Sequence, residues 1–314
     1  MVHGSARCGL EKPEPTGSNG NDRRLQRVMK TFSQEGEGTR LQVDELLAAM
    51  DRSGVERAVL AVKVYYPAPA EAVEALNQRF AERCALAPGR LRWMASLVPP
   101  ENGASSYWDV MQDCRMLGAI HDLPGLCGVH ITPSPWGILP NDRWFYPANA
   151  RCVDHALPAF AYVDAPGRLW PVHPNDPSHL DEVTLAFPDL AIVAHHIGDP
   201  WTETAVRLAA RHEHFCICTS ACSPKVYPEP LLRFLGSNWH GVRGANKVIF
   251  ASDCPLLDLE RATRDARALD LALNSSGAFC LPMPTSCCGV DLKRRPTGRA
   301  AQQCNASFRS ALAA

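Results

Sequence analysis

Two ionisable side chains at the ends of apolar runs are the first candidates for chemistry in this 314-residue chain. Leu190-Ala-Ile-Val-Ala-His-His-Ile-Gly-Asp-Pro-Trp201 places a short buried strand directly before His195 and His196. Lys247-Val-Ile-Phe-Ala-Ser-Asp-Cys-Pro255 places a second one before Asp253. An imidazole can shuttle protons near neutral pH, and a carboxylate can take a proton from water or hold a cation. Side chains alternate along a strand. If His196 points into the fold, Ala194 and Ile192 follow it; if Asp253 does, Ala251 and Ile249 follow. A small alanine below each polar tip leaves room for a site. The competing assignment makes His196 a hydrogen-bonded core histidine and Asp253 a helix cap.

These tips need a frame. Pro188 ends the helix before the first stretch, Gly198 supplies the following turn, Asp199 offers an N-cap oxygen and Pro200 suits a first helical position. That gives a strand, a histidine at its carboxyl end, then a helix. The same alternation recurs. Predicted strands are Ala58–Val64, Leu91–Leu97, Gly128–Thr132, Pro158–Val163, Leu190–Val193, Phe215–Thr219 and Lys247–Ser252. Predicted helices run from Leu41 to Gly54, Ala70–Leu86, Ser105–Leu117, Tyr146–Ala156, Ser178–Phe187, Trp201–His212, Glu229–Phe234 and Leu259–Leu271. Strands alternating with helices imply βα units, a parallel sheet and an α/β fold. A closed (β/α)₈ TIM barrel needs one more strand, and the deficit falls upstream of the first helix. The barrel is therefore expected with its first strand irregular or lacking; Met29-Lys-Thr-Phe32 is too short to count as a strand.

Residues 1–40 form a polar N-terminal segment, 41–272 the barrel domain, and 273–314 a tail without sustained periodicity, expected to be poorly ordered. A net charge of −1 without a basic block argues against nucleic acid as partner. Apolar runs are too short for a membrane span, and the first residues lack a secretory h-region. The 13 cysteines do not have the spacing of a secreted disulfide framework. A cytoplasmic protein with mostly reduced thiols is expected. A small-molecule substrate is the expected partner, and homo-oligomerisation stays open. Cys216 and Cys218 would share a strand face, but zinc knuckles use Cys-x₂-Cys, so packing is favoured. No nucleophile elbow, Walker motif or dinucleotide glycine motif is present.

Taken together, several motifs resemble the amidohydrolase-related ("amidohydrolase 2") family of metal-dependent TIM-barrel hydrolases and decarboxylases. They are Leu47 to Val59, Pro140-Asn-Asp-Arg143 with Tyr146-Pro147, Leu180-Asp-Glu-Val183, Phe187-Pro-Asp-Leu190 with His196-Ile-Gly198, Pro200-Trp-Thr-Glu203, Tyr227-Pro228, and Lys247 to Pro255. The likeness spans about Leu41 to Leu271. It implies a His-x-His pair on strand one, histidines on strands five and six, and an aspartate on strand eight. The last two match His196 and Asp253; His-x-His occurs nowhere in the chain, and the strand-five run Pro158–Val163 has no histidine.

The resemblance implies a divalent metal, with zinc as the first expectation, held by Asp253 and His196, with His130 or His173 as the added ligand and His173 placed to replace the missing strand-five histidine. Such a metal lowers the pKa of bound water to about 7 and polarises a carbonyl. His196 and Asp253 are then the catalytic pair. His130 at a strand end, Trp136 in the long loop Pro133–Arg143, and Arg143 are candidates for substrate contact. Asp142 and Arg143 have an alternative role as cap and ion pair opening the helix at Trp144. The implied activity is hydrolysis of a small organic substrate by metal-activated water. The alternatives are non-oxidative decarboxylation in the same kind of site, and a catalytically degenerate barrel or incomplete gene product. With so few ligands, weak zinc binding and little hydrolase activity are expected of the chain as written.

Overall fold

Runs rich in Val, Ile, Leu, Phe and Cys form strands, and each is followed by a helix that buries one stripe on the sheet. The computed structural model describes residues 43–64, 68–100, 109–166, 170–239, 241–254 and 256–269. The strands are β1 (Ala58–Ala61), β2 (Leu91–Ser96), β3 (Leu126–Ile131), β4 (Ala159–Tyr162), β5 (Ile192–His195), β6 (Phe215–Cys218), β7 (Asn238–Trp239), β8 (Val242–Arg243) and β9 (Val248–Ile249). A 7-stranded parallel sheet has the order β1-β2-β3-β4-β5-β6-β9, and β7 and β8 make a separate antiparallel hairpin. The helices are α1 (Val43–Ser53), α2 (Ala70–Ala85), α3 (Val110–Ile120), α4 (Pro133–Trp136), α5 (Tyr146–Asp154), α6 (His179–Ala186), α7 (Thr202–Arg211), α8 (Glu229–Leu235) and α9 (Leu259–Arg267). This is the α/β architecture of the TIM-barrel class.

The sheet curls, because its two faces carry separate cores. Ala58, Leu60, Trp93, Ala159, Ile192 and Phe215 pack outward under the helices. Val59, Met94, Phe160, Val193, Cys216 and Ile249 form a second cluster on the concave face. A flat sheet could not bring these strands' inner residues together; a barrel does so by filling its interior with side chains. Among the described residues β1 and β9 are edges that do not pair with each other. The outer ring nevertheless closes across this seam. Arg52 Nε lies 2.6 Å from Glu260 Oε1, and Arg267 Nη2 donates to the Ser53 carbonyl at 2.8 Å, joining α9 to α1. Met29–Phe32, both terminal segments and the first residues of the helix expected from Ser105 lie outside the described residues.

Local sequence explains several boundaries. Gly54 ends α1 in the left-handed conformation (φ 62°), and Val55 N–H returns to the Met50 carbonyl at 2.8 Å. Asp109 caps α3 by accepting from Met111 N. The helix expected to open at Asp199-Pro200 begins only at Thr202, with Trp201 at the cap position. The cause is a tether: Asp199 N–H donates to the Asp164 carboxylate, and the Asp199 carbonyl accepts from Ala165 N–H at 2.8 Å. The chain must leave the loop after β4 before it can wind. The long loop after β3 is also more regular than expected, holding α4, Gly137 at φ 66° and the 3-10 turn Arg143–Phe145.

That tether predicts a pH dependence. Burial raises the Asp164 carboxyl from 3.8 to about 7, with the charge of Asp199 adding to the rise and backbone N–H donors from Asp199 and Gly198 opposing it. A carboxyl that titrates higher in the fold than in the unfolded chain favours folding most below about pH 4. That contribution is lost as pH climbs through about 7. Asp164→Asn keeps an acceptor oxygen and removes the loss. Its stability relative to the parent should rise between pH 5 and pH 8 by about 1–2 kcal/mol, a figure discounted for the group's partial exposure. Urea melts at the two pH values check it, and a pH-independent difference would contradict it.

Candidate active site

A polar layer caps the concave core at the carboxyl ends of the strands. Val59 and Ala61 point inward, so two residues on Lys63 does too; Ile249 and Ala251 lead likewise to Asp253, and Cys216 and Cys218 to Ser220. Phe160 leads to Tyr162, and Val193 to His195. On β3 simple alternation from Cys127 would send His130 outward. A bulge corrects this: Trp93 pairs with Leu126 and Ala95 with Val129, so β3 carries one residue more than β2. Gly128 occupies the bulge, where a Cβ would stand 2.6 Å from the Phe160 ring. His130 thereby faces the interior, 1% exposed.

The register of β5 differs from the expectation. Ile192 and Ala194 belong to the outer core, while Val193 and His195 face inward. His196 still reaches the mouth because its backbone is left-handed, at φ 83°. Among the described residues the other non-glycine positions with positive φ are Ala156, Ala221 and Asp253. His196, Ala221 and Asp253 all lie just past the ends of adjacent strands β5, β6 and β9. Strained backbone of this kind persists where surrounding structure holds it, commonly at functional sites.

A hydrogen-bonded line runs across the mouth. His130 Nε2 lies 2.9 Å from His195 Nδ1, His195 Nε2 is 3.1 Å from Ser220 Oγ, and Ser220 Oγ is 3.0 Å from His196 Nδ1. The His196 Nδ1 atom is also 2.8 Å from the Ser220 carbonyl, which can only accept. Nδ1 therefore carries the proton, and Nε2 presents a lone pair. That Nε2 is buried and has no protein partner; nor has His130 Nδ1. Tyr162 packs edge-on against His196 with centroids 4.3 Å apart. Burial lowers His196 to about 4; Asp253 pulls it up and Lys63 pushes it down. Burial, then the charges of Lys63 and His196, hold His130 well below the usual imidazole range. Lys63 Nζ lies 3.2 Å from Asp253 Oδ1, with the two side chains 6% and 11% exposed.

The structure thus brings together His196, Asp253 and His130 of the residues expected from sequence. It does not bring in the other three. Trp136 is buried, stacks on Phe145 and donates from Nε1 to the Val64 carbonyl at 3.1 Å, securing the segment that carries Lys63. Arg143 is exposed, its guanidinium 5.3 Å from the Trp144 ring centroid, while Asp142 caps the turn by accepting from Trp144 N. His173 is exposed on a 3-10 turn and packs edge-on against His179. Lys63, His195, Tyr162 and Ser220 were not singled out by the sequence. Lys63 had a signal, a lone charge at an inward position of the run Ala58–Val64.

A divalent metal of catalytic type needs about three protein ligands. The mouth offers the unpartnered His196 Nε2 and His130 Nδ1 atoms and the Asp253 carboxylate, and the last already faces the Lys63 ammonium. Among the described residues no group of three or more His, Cys, Asp or Glu side chains is arranged to hold a metal ion. The donor set among the described residues does not fit the implied metal. Cys216 and Cys218 pack inside the barrel, burial raises the Cys218 thiol to about 11, and none of the described cysteines forms a disulfide. No helix among the described residues is long and apolar enough to cross a membrane.

Comparison with solved structures agrees with the fold. A 5-carboxyvanillate decarboxylase from Novosphingobium aromaticivorans, complexed with manganese and a nitrobenzoic acid, aligns with TM-score 0.60 and 17% identity, covering 85% of this chain and 91% of that one. A 2,6-dihydroxybenzoate decarboxylase from Rhizobium aligns with TM-score 0.55 and 18% identity over 76% and 84% of the two chains. A putative amidohydrolase from Staphylococcus aureus aligns with TM-score 0.61 and 13% identity over 93% and 97%. No curated protein matches by sequence. The family model described as Amidohydrolase (Amidohydro_2) matches residues 29–280, most of the chain and every strand of the barrel, and the chain belongs to that family.

Proposed function

We propose that this chain is a hydrolase for a small organic ester or amide, acting at the barrel mouth. The observation that carries the reading is the buried, unpartnered Nε2 of His196, whose tautomer is fixed by the Ser220 carbonyl. A neutral imidazole held this way accepts a proton from water as the oxygen attacks the substrate carbonyl, then returns it to the leaving nitrogen or oxygen as that bond breaks. Asp253 attracts positive charge on His196 and so stabilises the imidazolium formed between the two steps. His130 Nδ1, also buried and unpartnered, lies within reach of the same layer and serves substrate contact.

A second reading is non-oxidative decarboxylation of a small aromatic acid. It is favoured by the relatives whose names are those of decarboxylases. Turnover of a panel of small esters, lactones, amides and aromatic acids in H₂¹⁸O separates the two. Hydrolysis puts one ¹⁸O into the acid product. Release of CO₂ without label in the product would replace the first reading by the second.

A further inference from the structure

We infer that the Lys63 ammonium is the resident cation of this mouth: it occupies the Asp253 carboxylate that a divalent metal would need, and it faces the carbonyl or carboxylate oxygen of a bound substrate. The inference deepens the hydrolase reading and rests on its placement of the substrate. Three observations carry it. Lys63 is on the inward side of the β1 run, two residues beyond Ala61, and is buried. Its Nζ bridges the seam to Asp253 Oδ1 at 3.2 Å, from 190 residues away in sequence. Its position is built, since Trp136 clamps the neighbouring Val64 carbonyl from the loop after β3.

The electrostatic argument is one of competition. A buried lysine is stable as an ammonium only beside an anion, and Asp253 supplies it. Bringing a divalent cation to the same carboxylate would place two cations against one anion in a desolvated pocket. Coulomb repulsion there is far stronger than in water. The described mouth adds the His196 Nε2 lone pair, and His130 is not grouped with it and Asp253 to hold an ion, which leaves too few donors to offset that repulsion. A fixed ammonium can do part of a metal's work: it stabilises negative charge growing on a substrate oxygen without reorganising.

The experiment uses the full-length chain, dialysed against chelator and titrated separately with Mn²⁺ and with Zn²⁺, with metal content read by mass spectrometry and affinity by calorimetry. The parent chain is expected to retain well under one equivalent. Lys63→Met is expected to bind both ions at least tenfold more tightly, and Asp253→Asn added to it should abolish the gain. Lys63→Arg keeps the charge and should stay as metal-poor as the parent. Near-stoichiometric metal in the parent, lost in His196→Ala and Asp253→Ala, overturns the inference, and so does a folded Lys63→Met with no gain. If Lys63→Met does not fold, the parent and Lys63→Arg metal contents decide by the same criterion. Turnover without ¹⁸O entering the product from H₂¹⁸O would remove the hydrolase reading and leave these metal results standing.

Discussion

His196→Ala is expected to keep the barrel and to lower turnover by about a thousandfold, the middle of the range for removing a positioned general base. The loss should fall on kcat more than on KM, because the imidazole acts on the proton in flight rather than on the bound substrate. Stability gives an independent check. His196 sits at φ 83°, where any side chain with a Cβ is strained and glycine is not. His196→Gly should therefore be equally inactive but unfold at a higher temperature than His196→Ala. The measurement is a pair of steady-state assays with thermal melts of both variants. Activity within tenfold of the parent in either variant would remove His196 from the proposed mechanism, and a Gly variant less stable than the Ala one would show that the backbone there is not strained.

The largest stability effect is expected at Phe160. Its ring is fully buried at 0% exposure in the concave core, beneath the polar layer and against Gly128. Phe160→Ala removes most of a ring from the concave side of a curled sheet whose strands cannot collapse inward without breaking ladder hydrogen bonds. Loss of transfer energy and the residual cavity together should cost about 3–5 kcal/mol. Chemical denaturation measures it. A loss below about 1 kcal/mol would mean that the inner layer repacks, contrary to a rigid barrel. Gly128→Ala should be harmful for the opposite reason, since the new methyl would stand 2.6 Å from the ring with β3 unable to retreat.

Much of this was legible in the sequence because it is written as local periodicity. Each strand of the seven-stranded sheet lies within a few residues of the run that predicts it, the short β7–β8 hairpin had no predicting run, and the helices after β1, β5 and β6 keep their apolar stripes. The inward direction of Asp253 followed from Ile249 and Ala251. What escaped was non-periodic. The bulge that turns His130 inward changes the parity of β3, and single-strand alternation cannot show it. The positive φ at His196 lets two successive histidines face one space, so the alternation that tied His196 to Ala194 and Ile192 does not hold. His173 and Arg143 have the right chemistry but lie on turns that face solvent. Lys63 gains its meaning only from Asp253, and nothing in a linear pattern joins residues so far apart.

The seam between β1 and β9 also sets an order of events. Its ties, Lys63 with Asp253, Arg52 with Glu260 and Arg267 with the Ser53 carbonyl, close loops of 190, 208 and 214 residues. The neighbouring strand pairs close far shorter ones, for example the parallel ladder of Ala58 with Leu91 or of Ile192 with Phe215. Loop entropy places long closures after short ones, so the βα units zip up along the chain and the seam joins last. Contacts absent from the rate-limiting barrier govern the rate of opening rather than of assembly. Arg267→Ala should thus hasten unfolding in stopped-flow traces and leave the refolding limb where it was. On this expectation the barrel's lifetime is set by the ties that join β1 and α1 to β9 and α9.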